Sequence, residues 1–354
     1  MEMNHCDVFI VGAGPAGSSA AITAANRGLK VLVVELRQIV GVPVRCAEFI
    51  PAPLIGEVNL GRPFVVQSVA GMKTVLPGGE SHKTRAPGFI IRRDLFDQTL
   101  AKAAERAGAE ILVGTRALTL DGSEVVLRVR DGSIAKVRAK VIIGADGPHS
   151  TVGRWIGSVN KNLISAIQCR LSLMQPLNYT EIYFDKEIYA GYGWLFPKGH
   201  EANVGIGMKN SGSENQSAVG VFDRFISRLK KAGKVKGDPK HRTTGWIPVE
   251  PLRVTSSDNI LLAGDAAGHT HPITGAGVHH AVVCGTMAGE SAAQAIENGD
   301  LSLLSRYETE WRDLLGDTLN RAFQRRQLME RQWTKLNEII PHCWVAFKTY
   351  YGND

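Results

Sequence analysis

The chain has 354 residues, 44% hydrophobic and 21% charged, and carries a net charge of +7 from 41 basic and 34 acidic side chains. That is an ordinary globular composition, long enough for two cores or for one core with a large insertion. It holds no apolar window of about 18 residues that would predict a membrane span, no basic start to the leading MEMNHCD that would predict a signal peptide, and no aromatic-interleaved basic platform for nucleic acid.

Residues 7–12, DVFIVG, read as a buried strand from their nearly continuous apolar character. Gly12-Ala13-Gly14-Pro15-Ala16-Gly17 follows at once, then a small-residue helix, SSAAITAANRG, and a second strand, LKVLVVE. This is a βαβ unit. Gly12 permits the tight turn, Gly14 lets a pyrophosphate approach the backbone, and Gly17 lets helix and strand pack closely. The helix start offers unpaired N–H groups to the phosphates, and Glu35 ends the second strand where a carboxylate binds ribose hydroxyls, about 20 residues on.

Residues 58–87 predict short β segments and turns, and FIIRR (89–93) a short strand leading into the helix DLFDQTLAKAAERAG, with Asp94 as its cap. Residues 110–140 predict a β-meander with Asp-Gly turns. In IIGADGPHSTVGR (142–154) a strand ends at Asp146-Gly147, and Ser150 and Arg154 follow. Residues 163–210 read as several strands and 217–232 as a helix. Within the strands, GYGWLFPKG (191–199) puts Tyr192, Trp194 and Phe196 on one face by the two-residue period. In DNILLAGDAAGHTHPITGAG (258–277) a strand delivers Asp265, and a Pro and two glycines lead into a helix from about 276 to 297. Over 301–340 Leu304, Tyr307, Trp311, Leu315, Leu319 and Phe323 mark an amphipathic helix or helix pair, with Gly316 placed to bend it. Its later part carries Arg321, Arg325, Arg326, Arg331 and Lys335 against Glu330, which reads as a solvated basic face or as a surface that meets anionic lipid headgroups. The cysteines Cys6, Cys46, Cys169, Cys284 and Cys343 are scattered without a C-x-x-C, so zinc and iron–sulfur sites lack a framework and reduced thiols in the cytoplasm are expected. The positive balance suits anionic partners.

The glycine motif, Asp146-Gly147 and Gly264-Asp265 resemble, in this order, the FAD fingerprints of flavoproteins of the para-hydroxybenzoate hydroxylase class. The resemblance implies that Asp265 holds the ribityl chain and that the helix starting near Gly277 points its N-terminus at the flavin, where it stabilises negative charge around N1 and O2. No second GxGxxG flanked by strand and helix marks a separate NAD(P)H domain. GVPVRCAEF (41–49) resembles the PVRCGE segment of geranylgeranyl reductase-type flavoproteins, and Tyr192-x-Trp194-x-Phe196-Pro197 followed by Asn203-Val204-Gly205 resembles their Y-x-W-x-F-P…V-G signature. The likeness runs from about residue 5 to 300. It departs at Ala276, where relatives often carry Gly or Glu, and after 300, where they often continue longer.

The resemblance implies an α/β fold: a discontinuous Rossmann-type FAD-binding domain (1–57, 88–160, 250–300), an antiparallel-sheet substrate domain (58–87, 161–249) and a C-terminal helical segment (301–354). It implies FAD as cofactor, an isoprenoid lipid or polyprenyl substrate, an external electron donor (NADPH, ferredoxin or a flavoprotein) and peripheral membrane contact. The FAD contacts expected are Gly12, Gly14, Ala16, Gly17 and Glu35; Arg45, Cys46 and Ala47; Arg92 or Arg93; Asp146 and Gly147; and Gly264, Asp265, Gly275, Ala276 and Gly277. Such enzymes saturate isolated alkenes with hydride from reduced flavin and a proton. That chemistry needs an apolar slot, a proton donor and exclusion of water. Tyr192, Trp194, Phe196 and Pro197 are expected in the slot wall, with Tyr192 holding a polar contact; the alternative is a core aromatic ladder. Cys46 is the proton-donor or redox candidate, flanked by Arg45 and Glu48, which could tune its pKa; the alternative is an inert thiol. His269 and His271, either side of Thr270, read as polar lining or plain loop residues, since no third metal ligand is evident. Two other functions remain open: a monooxygenase or halogenase on the same fold, and an electron relay to a quinone, against which the absent cysteine cluster argues.

Overall fold

The computed structural model describes residues 5–58, 60–210 and 217–352. The chain opens with β1 (His5–Val11), α1 (Pro15–Asn26) and β2 (Val31–Glu35), as the apolar pattern predicts. β3 (Phe49–Pro51) and α2 (Ala52–Val58) lead to a long hairpin, β4 (Val65–Val75) and β5 (Ser81–Ile91). The sequence pattern gives only short segments there. Register shifts between Val65 and Gln67 and between Val69 and Gly71 interrupt the alternation that would reveal one strand. α3 (Arg93–Ala107) follows, and its expected cap is corrected: the N-cap residue is Arg92, no side chain caps the helix, and Asp94 in the first turn binds Arg92 Nη2 at 2.8 Å. A carboxylate at that place still favours the positive helix end.

β6 (Glu110–Val113) joins β2 in parallel, and β7 (Arg116–Asp121), β8 (Glu124–Arg128) and β9 (Ile134–Gly144) form the expected meander. Then come α4 (Thr151–Trp155), β10 (Leu163–Leu173), β11 (Tyr179–Tyr183), β12 (Tyr192–Lys198), β13 (Glu201–Met208) and α5 (Ala218–Lys231). β14 (Val235–Pro248) has no counterpart in the sequence reading; its Lys, His, Thr and Gly run shows no apolar alternation because it is an exposed edge strand. β15 (Ser256–Ser257), β16 (Ile260–Leu262), α6 (Val278–Glu297), α7 (Ser305–Arg331) and α8 (Leu336–Cys343) complete the chain. α7 runs unbroken through Gly316, where a bend was expected.

Two sheets result. The first has the order β15-β16-β9-β1-β2-β6, parallel through its centre, with β7 and β8 extending from β9. Its central strands are apolar on both faces because both are covered. Alanine-rich α1, α3 and α6 lie on one side with Tyr307 and Trp311 of α7, and Ala117, Val125, Leu127 and Val152 of the meander and α4 on the other. The second sheet has the order β14-β10-β13-β12-β11-β4-β5-β3, antiparallel except for β4 with β11. β3 and residues 88–91 of β5 hydrogen-bond in this second sheet, although they lie in stretches read as FAD-binding. α5 covers one face of it, and the C-terminal α7–α8 segment covers the other. Burying a large aromatic side chain contributes roughly 1.5–3 kcal/mol, so fully buried Trp311 and Trp344 anchor the C-terminal segment to both sheets.

Candidate active site

The carboxyl ends of β1, β9 and β16 lie side by side, Val11 beside Gly144 and Gly144 beside Leu262. The three turns that follow therefore converge where ligands bind in open α/β sheets. Gly12 has φ +100° and a Cβ there would overlap Ala145 O, while a Cβ at Gly17 would overlap Gly12 O. At Gly14, by contrast, the Cβ direction is open and no side chain caps α1. Its first N–H groups are thus presented to an anion. Glu35 accepts the Ala13 N–H at 2.9 Å and the Arg37 N–H at 2.9 Å, which fixes its carboxylate against the glycine loop.

Asp146 turns back into its own loop, accepting from Ser150 Oγ at 2.5 Å and Thr151 N–H at 2.6 Å, and burial raises its pKa. Gly147 makes the turn with φ +81°. Asp265 accepts from Thr270 Oγ1 at 2.6 Å; burial raises its pKa, with the Thr270 bond and the charge of Arg93 opposing. Asn160 Nδ2 ties the two turns together, donating to Pro148 O at 3.0 Å and Asp265 O at 2.9 Å. Gly264 packs on Ala16, and loop 271–277 closes by Gly275 N–H to His271 O at 2.9 Å and His271 N–H to Ala276 O at 3.0 Å. Gly277 is the N-cap of α6, again without a side-chain cap. Two glycine-started helices with unclaimed N–H groups, flanking fixed carboxylates, fit an anionic dinucleotide.

The residues 45–48 cross the second sheet directly beside this place. Tyr192, Gly207 and Ala166 form one row across β12, β13 and β10; Trp194, Gly205 and Gln168 form the next; Phe196, Asn203 and Arg170 the third. Register partners share a face, so the three rings stand in one row along β12, and the Trp194 indole lies over Gly205 of β13. Gln168 Nε2 donates to Cys46 O at 2.8 Å, and Asn203 Nδ2 donates to Ala47 O at 3.0 Å and Glu48 Oε2 at 2.8 Å. Glu48 is 1% exposed and sits at φ +70°, a left-handed conformation uncommon outside glycine. It also accepts Arg93 N–H at 2.9 Å and Lys198 Nζ, with Arg170 Nη2 at 3.5 Å. Burial lowers the Lys198 pKa, and Glu48 opposes that. In this backbone setting the Glu48 N–H donates to Cys46 Sγ at 3.3 Å.

Of the two candidate arginines, Arg92 is half exposed beside Asp94, whereas Arg93 turns inward to Asp97 at 2.6 Å and within reach of the Cys46 thiol. Burial pulls its pKa down, but Asp97 and then Cys46 outweigh that and raise it. Arg45 is exposed, its Cβ against Gly245 on β14.

Tyr192 donates to Thr274 O, and burial raises its pKa. Its ring stands edge-on to Trp344 at 5.3 Å and to Trp194 at 6.2 Å, and Phe196 stands edge-on to Phe49 at 6.2 Å. Trp194 is 6% exposed and its Nε1 has no partner. Pro197 is corrected. By alternation it points with Leu195 to the α5 face, where a Cβ at Gly193 would meet the Phe225 ring, so it is not in the wall. The ring face is covered by Met329, Trp333, Ile340 and Trp344 of the C-terminal segment.

His271 takes the Thr274 N–H on Nδ1 at 3.2 Å and faces Tyr350 with Nε2 at 3.4 Å. His269 packs against Trp311 with centroids 4.5 Å apart and both ring nitrogens unpartnered. Burial pulls their pKa values down to about 4 and about 3. Among the described residues no group of three His, Cys, Asp or Glu could hold a metal ion. Gln168, Arg170, Lys198 and Arg326 escaped the sequence reading. Arg326 was read into a basic face, either solvated or meeting anionic lipid headgroups, and is 2% exposed. Its place in the stripe Leu319, Ala322, Arg326, Met329, Trp333 was the available signal.

Residues 7–147 match the model of FAD-dependent oxidoreductases, and residues 163–237 that of the geranylgeranyl reductase catalytic domain. Digeranylgeranylglycerophospholipid reductase of Methanothrix thermoacetophila is 38% identical, over 92% of this chain and 88% of that protein. The crystal structure of a geranylgeranyl bacteriochlorophyll reductase-like protein from Thermoplasma acidophilum superposes with a TM-score of 0.85 at 31% identity, over 99% of this chain and 94% of the other. A flavin-dependent brominase shares the fold alone, with a TM-score of 0.74 at 19% identity over 95% of this chain and 90% of the other.

Proposed function

The chain belongs to the geranylgeranyl reductase family of FAD-dependent oxidoreductases, and from that premise we propose that it saturates carbon–carbon double bonds in the geranylgeranyl chains of a glycerophospholipid. The observation that carries this is the meeting of the Cys46 segment with the Trp194–Gly205–Gln168 row. It sets a thiol beside the aromatic row of β12, with Arg93 acting on both that thiol and Asp265 of the dinucleotide turns. FAD, bound and reduced, supplies the hydride. Gly14 and the start of α1 would hold the diphosphate, Asp265 would orient the polar chain, Asp146 would hold its own turn against it, and the start of α6 would offer N–H groups to negative charge. Tyr192, Trp194 and Phe196 align an isoprenoid unit, and the C-terminal segment excludes water. Two N–H sources, the Glu48 backbone and Arg93, are turned toward Cys46 Sγ. Cys46 is the proton-handling group in this reading.

Enzyme photoreduced without oxygen and mixed with a geranylgeranyl lipid is expected to reoxidise and yield product heavier by one dihydrogen per bond reduced. Oxygenated product in air, with no anaerobic turnover, would sink the reading in favour of a monooxygenase.

The lipid has to be met at a bilayer. No helix among the described residues is long and apolar enough to cross a membrane. With Arg326 withdrawn, exposed Arg331 and Lys335 are the leading cations of the C-terminal face. Binding to anionic vesicles at low salt should exceed binding to neutral ones and fall at least about tenfold when both are changed to Glu. Equal binding to neutral vesicles would remove the electrostatic contact.

A further inference from the structure

Arg326 lies within the apolar stripe of α7, and its guanidinium reaches two separate carbonyls. Nη2 donates to Ala190 O at 2.8 Å and Nη1 to Pro272 O at 3.1 Å. Nε lies 3.0 Å from Glu330 Oε1, and Glu330 Oε2 takes Lys209 Nζ at 2.7 Å. Burial lowers the Arg326 pKa, and Glu330 opposes it. The buried guanidinium is therefore paired with a carboxylate that it shares with Lys209.

The two carbonyls belong to the two parts that must be in register for hydride transfer. Ala190, at φ +51°, enters β12 two residues before Tyr192. Pro272 opens the loop that ends at Gly277, the N-cap of α6. Tyr192 binds the same loop at Thr274 O. A planar guanidinium fork holds its acceptors at a fixed separation, which a flexible ammonium does not. A staple needed only to fasten α7 would be served by Ala190 O alone; the bond to Pro272 O adds control of the loop.

We infer that Arg326 is a positioning residue: it sets loop 271–277, and through it the start of α6, relative to the ring face. The inference rests on the FAD-binding reading of that loop. Arg326 itself touches neither alkene nor flavin and acts through Pro272.

The test compares wild-type holoenzyme with Arg326→Gln and Arg326→Lys. In Arg326→Gln, exchange of the Gly275 and His271 amides should rise at least about tenfold, the worth of one lost charge-assisted hydrogen bond. The Gly12 amide, held by Val34 O at 2.8 Å, serves as the reference and should not change. FAD stoichiometry and KM should stay near wild type, while the anaerobic single-turnover rate falls about tenfold. Arg326→Lys should recover part of both effects. Unchanged exchange at Gly275 and His271, or an unchanged single-turnover rate, overturns the inference and leaves Arg326 as a fastener of α7. Wild-type protein without FAD absorbance would overturn the flavin premise instead, and the absorbance distinguishes the two failures.

Discussion

Glu48→Ala is expected to destabilise the protein by about 3–5 kcal/mol, the usual result of stripping one partner from a buried ion pair, and to abolish most turnover. The variant leaves Lys198, 8% exposed in its side chain, without the carboxylate it touches and leaves Asn203 Nδ2 and Arg93 N–H each short of an acceptor. The Cys46–Glu48 turn then loses the side chain that holds its left-handed residue in place. Sign matters for the pH response. Lys198 has a depressed pKa in the folded state, so between that value and its unfolded value of about 10.4 the unfolded chain binds more protons and stability rises with pH. Loss of Glu48 deepens that depression, and the deficit of the variant should shrink as pH is raised toward that value. Pairing Glu48→Gln with Lys198→Met removes the orphaned charge and should return part of the stability but not the activity. Urea denaturation across pH and single-turnover kinetics check both claims. A loss under about 1 kcal/mol with normal turnover would mean that the cluster neither stabilises nor positions.

Gly205→Ala should lose about a hundredfold in turnover while keeping FAD. A Cβ at Gly205 would overlap Trp194 Cζ2, lie 2.5 Å from Cε2 and stand 2.7 Å from Ile167 O. The backbone atom cannot yield, so the indole must shift along the ring face. Misplacement by about 1 Å near the reacting atoms costs about a hundredfold in rate. Gly207→Ala is the matched control: its nearest neighbours would be Ile164 Cδ1 at 3.5 Å and Trp194 Cζ3 at 3.6 Å, ordinary contact distances. Anaerobic single-turnover rates and flavin content separate the two variants. Equal rates would show that the indole does not border the reacting chain.

The dinucleotide turns were readable in the sequence because each depends on a few consecutive residues whose backbone conformation only glycine or an acidic cap supplies. Gly12 through Gly17, Asp146-Gly147 and Gly264-Asp265 fall together at three neighbouring strand ends. The alternation of Tyr192, Trp194 and Phe196 likewise gave their common face. Long-range relations were not readable. Nothing local says that Gln168 and Asn203 clasp the backbone of Cys46 and Ala47, since 122 and 156 residues separate the partners. β14 was hidden because an edge strand facing solvent needs no apolar period. Arg326 was misassigned because a charge in a basic run was read into a surface face. Arg92 and Arg93 are adjacent in sequence, and only the helix start decides which of them turns inward.

The C-terminal segment has a consequence for how the molecule is made. Trp333, Ile340 and Trp344 pack with Ile182, Phe184 and Trp194, so the cover of the ring face is translated long after the rings. Until residue 344 has left the ribosome, the nascent chain holds the dinucleotide turns beside a bare strip of aromatic rings. Such a strip is a ready site for chaperones or for self-association. Nonsense and frameshift changes late in the reading frame should therefore yield sticky fragments rather than inert ones.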